Sequence, residues 1–256
     1  MMEMKDYPLL EFDPTIPAII EPQQAVEDIG APEHCVFCFF GEVVEILLQD
    51  GALRRIAYQE WEDLKRPLYE MDAGGKRMGV FQPGVGAPLA AALMEEVIAR
   101  GSRKIIACGG AGVLAREIDV GNILVPTAAV RDEGTSFHYL PPGREIQVDK
   151  DVLEIIEAVL IAQDIEYQLV KTWTTDAPYR ETPEKVKLRK NEGCLTVEME
   201  MAAFLAVAQF RQVPFGQILY GGDDISGSNW DPRQWQARKD VRMRLFKLAV
   251  DICLQL

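Results

Sequence analysis

Two acids, Glu198 and Glu200, stand in LTVEMEMAAFLAVAQF where an apolar strand-like run gives way to an apolar helix-like one. A buried carboxylate costs several kcal/mol unless it is paired or hydrogen-bonded. Acids at such a join imply a ligand rich in donors, or a helix N-terminus whose dipole accommodates an acid. A second acidic turn, GGDDI, places Asp223 and Asp224 behind another apolar run. Two glycine-rich stretches complete the set: PGVGAP, with Gly84 and Gly86, and ACGGAG, with Gly109, Gly110 and Gly112. Glycine lets backbone approach a ligand closely and frees N–H groups to contact its oxygens. Each stretch alone reads as a tight turn; all four at one sheet edge read as a binding site.

The elements that must position them follow from periodicity. CVFCFF, EVVEILLQ and LRRIAYQ are β-rich, and Asp50-Gly51 between the last two signals a hairpin. KRMGVFQ reads as a further strand that PGVGAP ends, and APLAAALMEEVIAR as a helix stopped by Gly101. KIIACGGAG reads as a short strand running into a glycine turn, and NILVPTAAV as the next strand. DVLEIIEAVLIAQ is an amphipathic helix, EYQLVKTWTT a strand, TPEKVKLRKN a short polar helix and CLTVE a strand. MAAFLAVAQFRQ is a helix, FGQILYGGDD a strand, and residues 232–256 a closing helix. Alternating strands and helices predict an α/β fold with a mixed sheet, whose ligands lie beyond the carboxyl ends of the strands. Residues 1–33, with their prolines, read as an extended arm carrying one short helix near Pro22–Ile29; residues 34–256 read as one domain.

Composition narrows the function. A net charge of −13 argues against nucleic-acid binding, which needs a basic face. No apolar run approaches the roughly 20 residues of a membrane helix, and the acidic, proline-broken start does not resemble a signal peptide, so a cytoplasmic protein is expected. Cys35 and Cys38 form C-x-x-C inside a strand-like run with no second pair. They read as buried thiols, and with only two histidines no metal site is expected. Gly110-Ala-Gly112-Val-Leu-Ala115 fits a dinucleotide fingerprint, with Asp132 about 20 residues on. Only VLAREIDVG separates it from the next strand, too short for the crossover helix that fingerprint must open.

In their order, GVGAP, KIIACGGAGVL, IDVGNILVPTAAVRDEGTSFHY, TTDAPYRET, VEMEMAAFLAVA and GGDDISG resemble the nucleoside phosphorylase superfamily, over roughly residues 80 to 228. The resemblance implies a three-layer αβα sandwich around a central mixed, twisted sheet. It implies cleavage of a ribose–base bond, in a homo-oligomer (dimer, trimer or hexamer), with a small-molecule nucleoside as the partner and no cofactor. Carried over, Met199 supports the sugar and Glu200 accepts from its 2′- and 3′-hydroxyls, with Glu198 near the base or orienting the pocket. Asp223 assists the leaving base at N7, Asp224 being the one-residue alternative; Tyr179 stacks on the base, with Thr175 and Asp176 leading into its loop. Gly84, Gly86, Gly109, Gly110 and Gly112 line the nucleophile side.

The phosphate side departs from the family pattern. The glycine-aspartate-proline turn and its arginine appear only as Ile20-Glu21-Pro22-Gln23-Gln24; the second arginine is Ala107 and the hydroxyl residue is Gly110. Inorganic phosphate is left open as a co-substrate, with Arg54, Arg55, Arg77 or Arg116 as substitutes. The alternatives are a nucleosidase using water, for which Glu21 is a weak counterpart of the family's N-terminal glutamate, and a non-catalytic nucleoside-binding relative. Thr182 and Glu184 stand where a pyrimidine-reading glutamine and arginine belong, which favours a purine-type base.

Overall fold

Strands apolar on both faces are buried only if helices cover both sides of the sheet, and this chain is built so. The computed structural model describes residues 4–62 and 64–256, so the first three residues of the predicted arm lie outside it. The elements run α1 (Pro22–Ala25), β1 (His34–Cys38), α2 (Gly41–Gln49), β2 (Arg54–Trp61), β3 (Leu64–Ala73), β4 (Lys76–Phe81) and α3 (Ala87–Ala99). Then come β5 (Lys104–Val113), β6 (Ile123–Asp132), β7 (Glu145–Gln147), α4 (Lys150–Ala162), β8 (Tyr167–Thr175) and α5 (Pro183–Asn191). β9 (Cys194–Glu198), α6 (Met201–Arg211), β10 (Phe215–Asp224) and α7 (Lys239–Cys253) complete the chain.

One mixed sheet runs β10-β6-β8-β9-β5-β1-β4-β3-β2, with β7 beside β6. β10 also pairs with β5, so β5, β10, β6, β8 and β9 close on themselves into a ring. On one side of the sheet lie α3 and α6, with α1 against α3; α7 covers the other with α2 and α4. The layers meet closely: a Cβ on Gly216 of β10 would come within 2.8 Å of Ile156 of α4. The predicted αβα class and mixed sheet are therefore present, in a single domain.

Three local expectations change. EVVEILLQ is helix α2, not a strand. Val43, Val44 and Ile46 are β-branched, yet its apolar residues also recur at helical spacing, and Val43 and Val44 turn inward while α7 packs across it. Asp50-Gly51 therefore ends a helix, with Gly51 at φ +69°, rather than turning a hairpin. The hairpin lies further on, where Gly74 (φ +66°) and Gly75 (φ +87°) join β3, absent from the sequence reading, to β4. ACGGAG is not a turn, because β5 continues through it to Val113.

The five cysteines are free and buried. Among the described residues no His, Cys, Asp and Glu cluster is arranged to hold a metal, and no helix is long and apolar enough to cross a membrane.

Candidate active site

Four sequence segments meet at one cavity of about 530 Å³ at the carboxyl ends of β1, β5, β9 and β10. Its walls include Val85 from PGVGAP, Gly109 to Gly112 from β5, Glu198 to Glu200 from the β9–α6 join, and Gly222 and Asp223 from β10. That size suits a small ligand.

The acids at the β9–α6 join divide their work. Glu198 accepts from the Thr174 hydroxyl (2.6 Å) through one oxygen and from the Glu200 and Met201 N–H groups (2.7 and 2.6 Å) through the other. It ties down the first turn of α6, which is the helix-cap role for an acid at this position. Glu200 accepts from the Gly86 N–H at 2.6 Å, so the loop before α3 reaches across to the start of α6. A carboxylate has room for about four hydrogen bonds, and Glu200 on the cavity wall retains capacity for ligand donors. Burial raises the pKa of both acids, and Glu198 beside it pushes Glu200 further. Half-buried Met199 lies between them on the wall.

At the other wall, Asp223 accepts from the Trp230 indole N–H at 2.7 Å. Asp224 does not line this cavity. Its carboxylate accepts from Arg233 (2.5 Å) and the Ser226 N–H (2.7 Å), which with the Arg233 charge hold its pKa below the ordinary value despite burial. Glu181 was not singled out in the sequence: burial first, then the charge of Asp223, pushes its carboxyl up to about 7.

The glycines are explained by close approach. A Cβ on Gly112 would come within 2.9 Å of Val197, and one on Gly110 within 3.1 Å of the Tyr220 ring. Gly84 and Gly86 do not line the cavity; their positive φ angles (+83° and +102°) turn the loop so that Val85 does. Tyr179 is 98% exposed on the turn Pro178–Arg180, and does not line the cavity in this chain. Thr175 accepts locally from the Ala177 N–H, and Asp176 accepts from the Gly134 N–H at the end of the β6 segment. Thr182 caps α5, with Glu184 in its first turn.

Glu21 also lies elsewhere. It caps α1 and pairs with Arg211 at 3.0 Å, and the turn that reaches the cavity after β1 is Phe39-Phe40. Arg54 and Arg77 are tied to Glu70, Arg55 lies over Tyr58, and Arg116 borders a neighbouring polar pocket. The one arginine on the cavity among the described residues is Arg242 of α7. It donates to Tyr220 Oη (3.0 Å) and to Glu42, and lies against the Phe40, Tyr220 and Trp235 rings. Gln217 of β10 lines the cavity as well. Phe39 and Phe40 were findable, since they end a strand at the ligand-bearing edge; Gln217, Tyr220, Trp235 and Arg242 carried no sequence signal. The dinucleotide reading stays excluded, since Gly110 lies inside β5 and no helix joins β5 to β6.

Known proteins agree with this architecture. Residues 33–253 match the family described as the Phosphorylase superfamily. A guanosine phosphorylase from Halorubrum lacusprofundi is 30% identical over 144 residues, 56% of this chain and 60% of that protein, so less than two thirds of the relative is spanned. A DeoD-type purine nucleoside phosphorylase from Caldanaerobacter subterraneus is 27% identical over 241 residues, covering 88% of this chain and 98% of the relative. The solved uridine phosphorylase of Vibrio fischeri superposes with a TM-score of 0.75 at 19% identity, over 90% of this chain and 95% of that one, a likeness of fold. Because the family match extends over nearly the whole length that forms the sheet and both helical layers, the chain belongs to the phosphorylase superfamily.

Proposed function

We propose that this protein cleaves the N-glycosidic bond of a nucleoside, purine-type by preference, with water as the nucleophile. The observation that carries the reading is Glu200, fixed by the Gly86 N–H on the same cavity as Met199 and Asp223. Glu200 accepts from the ribose 2′- and 3′-hydroxyls, and Met199 supports the apolar face of the sugar. Asp223 donates to the departing base, which otherwise leaves as a poor anion. The transition state is oxocarbenium-like, so a weak nucleophile suffices once the base is assisted.

Water is preferred to phosphate on electrostatic grounds. A phosphate dianion needs charge-assisted donors, and the cavity's arginine, Arg242, is already held by Glu42. Phosphorolysis is the second reading, favoured by Arg242 itself and by relatives named guanosine and purine nucleoside phosphorylase. A homo-oligomer fits either reading, since Val85 at the cavity is 69% exposed and open to cover by a second copy.

The test is release of free base from a panel of nucleosides at zero and at millimolar phosphate, with the sugar product identified. Ribose, formed at a rate independent of phosphate, is the expected result. Ribose 1-phosphate with saturable phosphate dependence would establish the second reading, and a nucleoside bound but left intact would make the protein a binding relative.

A further inference from the structure

Asp223 and Trp230 stand at the two ends of a short loop that doubles back onto β10. Its neck is closed by Asp224 and Asp231, whose backbones exchange two hydrogen bonds, from the Asp224 N–H at 2.8 Å and from the Asp231 N–H at 2.9 Å. Side chains alternate between faces along paired backbone. Asp224 and Asp231 therefore share one face, and the residues just before them, Asp223 and Trp230, share the other. Arg233 fixes the first face, donating to Asp224 (2.5 Å) and to the Ile118 carbonyl (2.6 Å), while its backbone N–H donates to Asp231 (3.0 Å). On the second face the Trp230 indole N–H reaches Asp223 Oδ2 at 2.7 Å, the one hydrogen bond of that carboxylate among the described residues. The Trp230 ring is 64% exposed, so the anchored loop and this bond hold it there rather than packing. Asp223 Oδ1 is left without a partner on the side of Gly112, 3.6 Å from where a Cβ on that glycine would stand, and both residues line the cavity.

We infer that Trp230 is a positioning residue for the leaving-group acid, occupying Asp223 Oδ2 so that the transferable proton resides on Oδ1. The inference rests on the proposed nucleoside cleavage, in which Asp223 assists the base, and names the group that aims it. An indole nitrogen only donates, whereas a neutral carboxyl has one O–H and one carbonyl oxygen. A proton on Oδ2 would set an O–H against the indole N–H and leave the better acceptor oxygen unused. The neutral acid therefore carries its proton on Oδ1, beside Gly112 of the cavity wall. The same bond fixes the plane of the carboxyl, whose terminal torsion is otherwise broad. In the step, the C1′–N electron pair leaves with the base, which takes the Oδ1 proton, while the water oxygen bonds C1′. The water loses one proton to solvent and Asp223 regains one, so the sum is nucleoside plus water to ribose plus free base. The indole proton stays on Trp230 throughout.

The experiment compares the full chain with Trp230→Phe, which keeps an aromatic ring and removes the N–H, with Asp223→Asn, and with the double variant. Each is assayed on a cleavable nucleoside and on p-nitrophenyl β-D-ribofuranoside, whose leaving group departs without a proton. Trp230→Phe should lose about 10–100-fold in kcat on the nucleoside, the cost of a misplaced reacting group, with KM little changed. On the nitrophenyl riboside that loss should all but vanish. Adding Trp230→Phe to Asp223→Asn should cost nothing further on the nucleoside, because the indole acts through that carboxyl. Thermal unfolding should match the original, since the ring is exposed. A purely structural role would instead lower both substrates' rates alike, add to the Asp223→Asn loss and lower the melting temperature. That pattern, or an unchanged kcat in Trp230→Phe, would overturn the inference while leaving nucleoside cleavage and the role of Asp223 intact. No base release by the original protein from any nucleoside would defeat the proposed function itself, and this inference with it.

Discussion

Glu200→Gln separates a sugar-binding acid from one that merely begins a helix. The glutamine keeps the shape and an oxygen able to accept from the Gly86 N–H. What it loses is charge on the bonds to two ribose hydroxyls. A hydrogen bond to a charged group contributes about 1.5–3 kcal/mol and a neutral one about 0.5–1.5. The loss is then about 1–1.5 kcal/mol per hydroxyl, roughly 2–3 in all, or about 30–150-fold in affinity.

Stability should move the other way. Burial and the neighbouring Glu198 hold the Glu200 pKa above its ordinary value. The folded protein therefore keeps this proton at pH values where the unfolded chain has released it. Stability falls as pH rises from the ordinary carboxylate value toward the raised one. Glu200→Gln removes that slope, so the variant should melt no lower than the original near neutral pH. In the original, hydroxyl donors favour the ionised acid, so nucleoside binding should release protons in that window and tighten with rising pH. Titration calorimetry in buffers of different ionisation enthalpy, on an Asp223→Asn background to slow turnover, reads affinity and proton release together. Unchanged affinity and unchanged proton release in Glu200→Gln would refute the assignment.

Asp223→Asn should lower kcat about 10²–10⁴-fold, the usual contribution of a general acid, with a smaller change in affinity. Asp224→Asn should instead weaken the Arg233 pair and lower stability above the ordinary aspartate pKa, a loss that disappears as pH falls through the depressed folded value; the reverse pattern in kinetics would move the acid by one residue. Gly112→Ala should destabilise by about 1–3 kcal/mol in denaturant melts, because its Cβ would lie 2.9 Å from Val197, and Val197→Ala should restore most of the loss. No loss in Gly112→Ala would mean that β5 and β9 are not packed so closely.

The sequence by itself determined which segments meet at the cavity. VEMEM, GGDDI and the glycine stretches are legible because buried acids and clustered glycines need a reason that local structure seldom supplies. The α/β class was legible for a similar reason, since hydrophobic period and helix stops such as Gly101 are local signals. EVVEILLQ was not, because β-branched residues at helical spacing satisfy both patterns until α7 packs on one of them. Nor could the sequence show that ACGGAG stays in a strand: its glycines answer to Val197 and Tyr220, far along the chain. Tertiary structure alone chose the residues around the acids. It sent Asp223 to the cavity and Asp224 to Arg233, left Tyr179 in solvent, and set Glu21 against Arg211. It also brought Arg242 and Gln217 to the cavity, from a closing helix and a central strand. Local sequence encodes which groups are worth burying; which of them face one another depends on how the strands register and close, and that is settled only when distant segments pack.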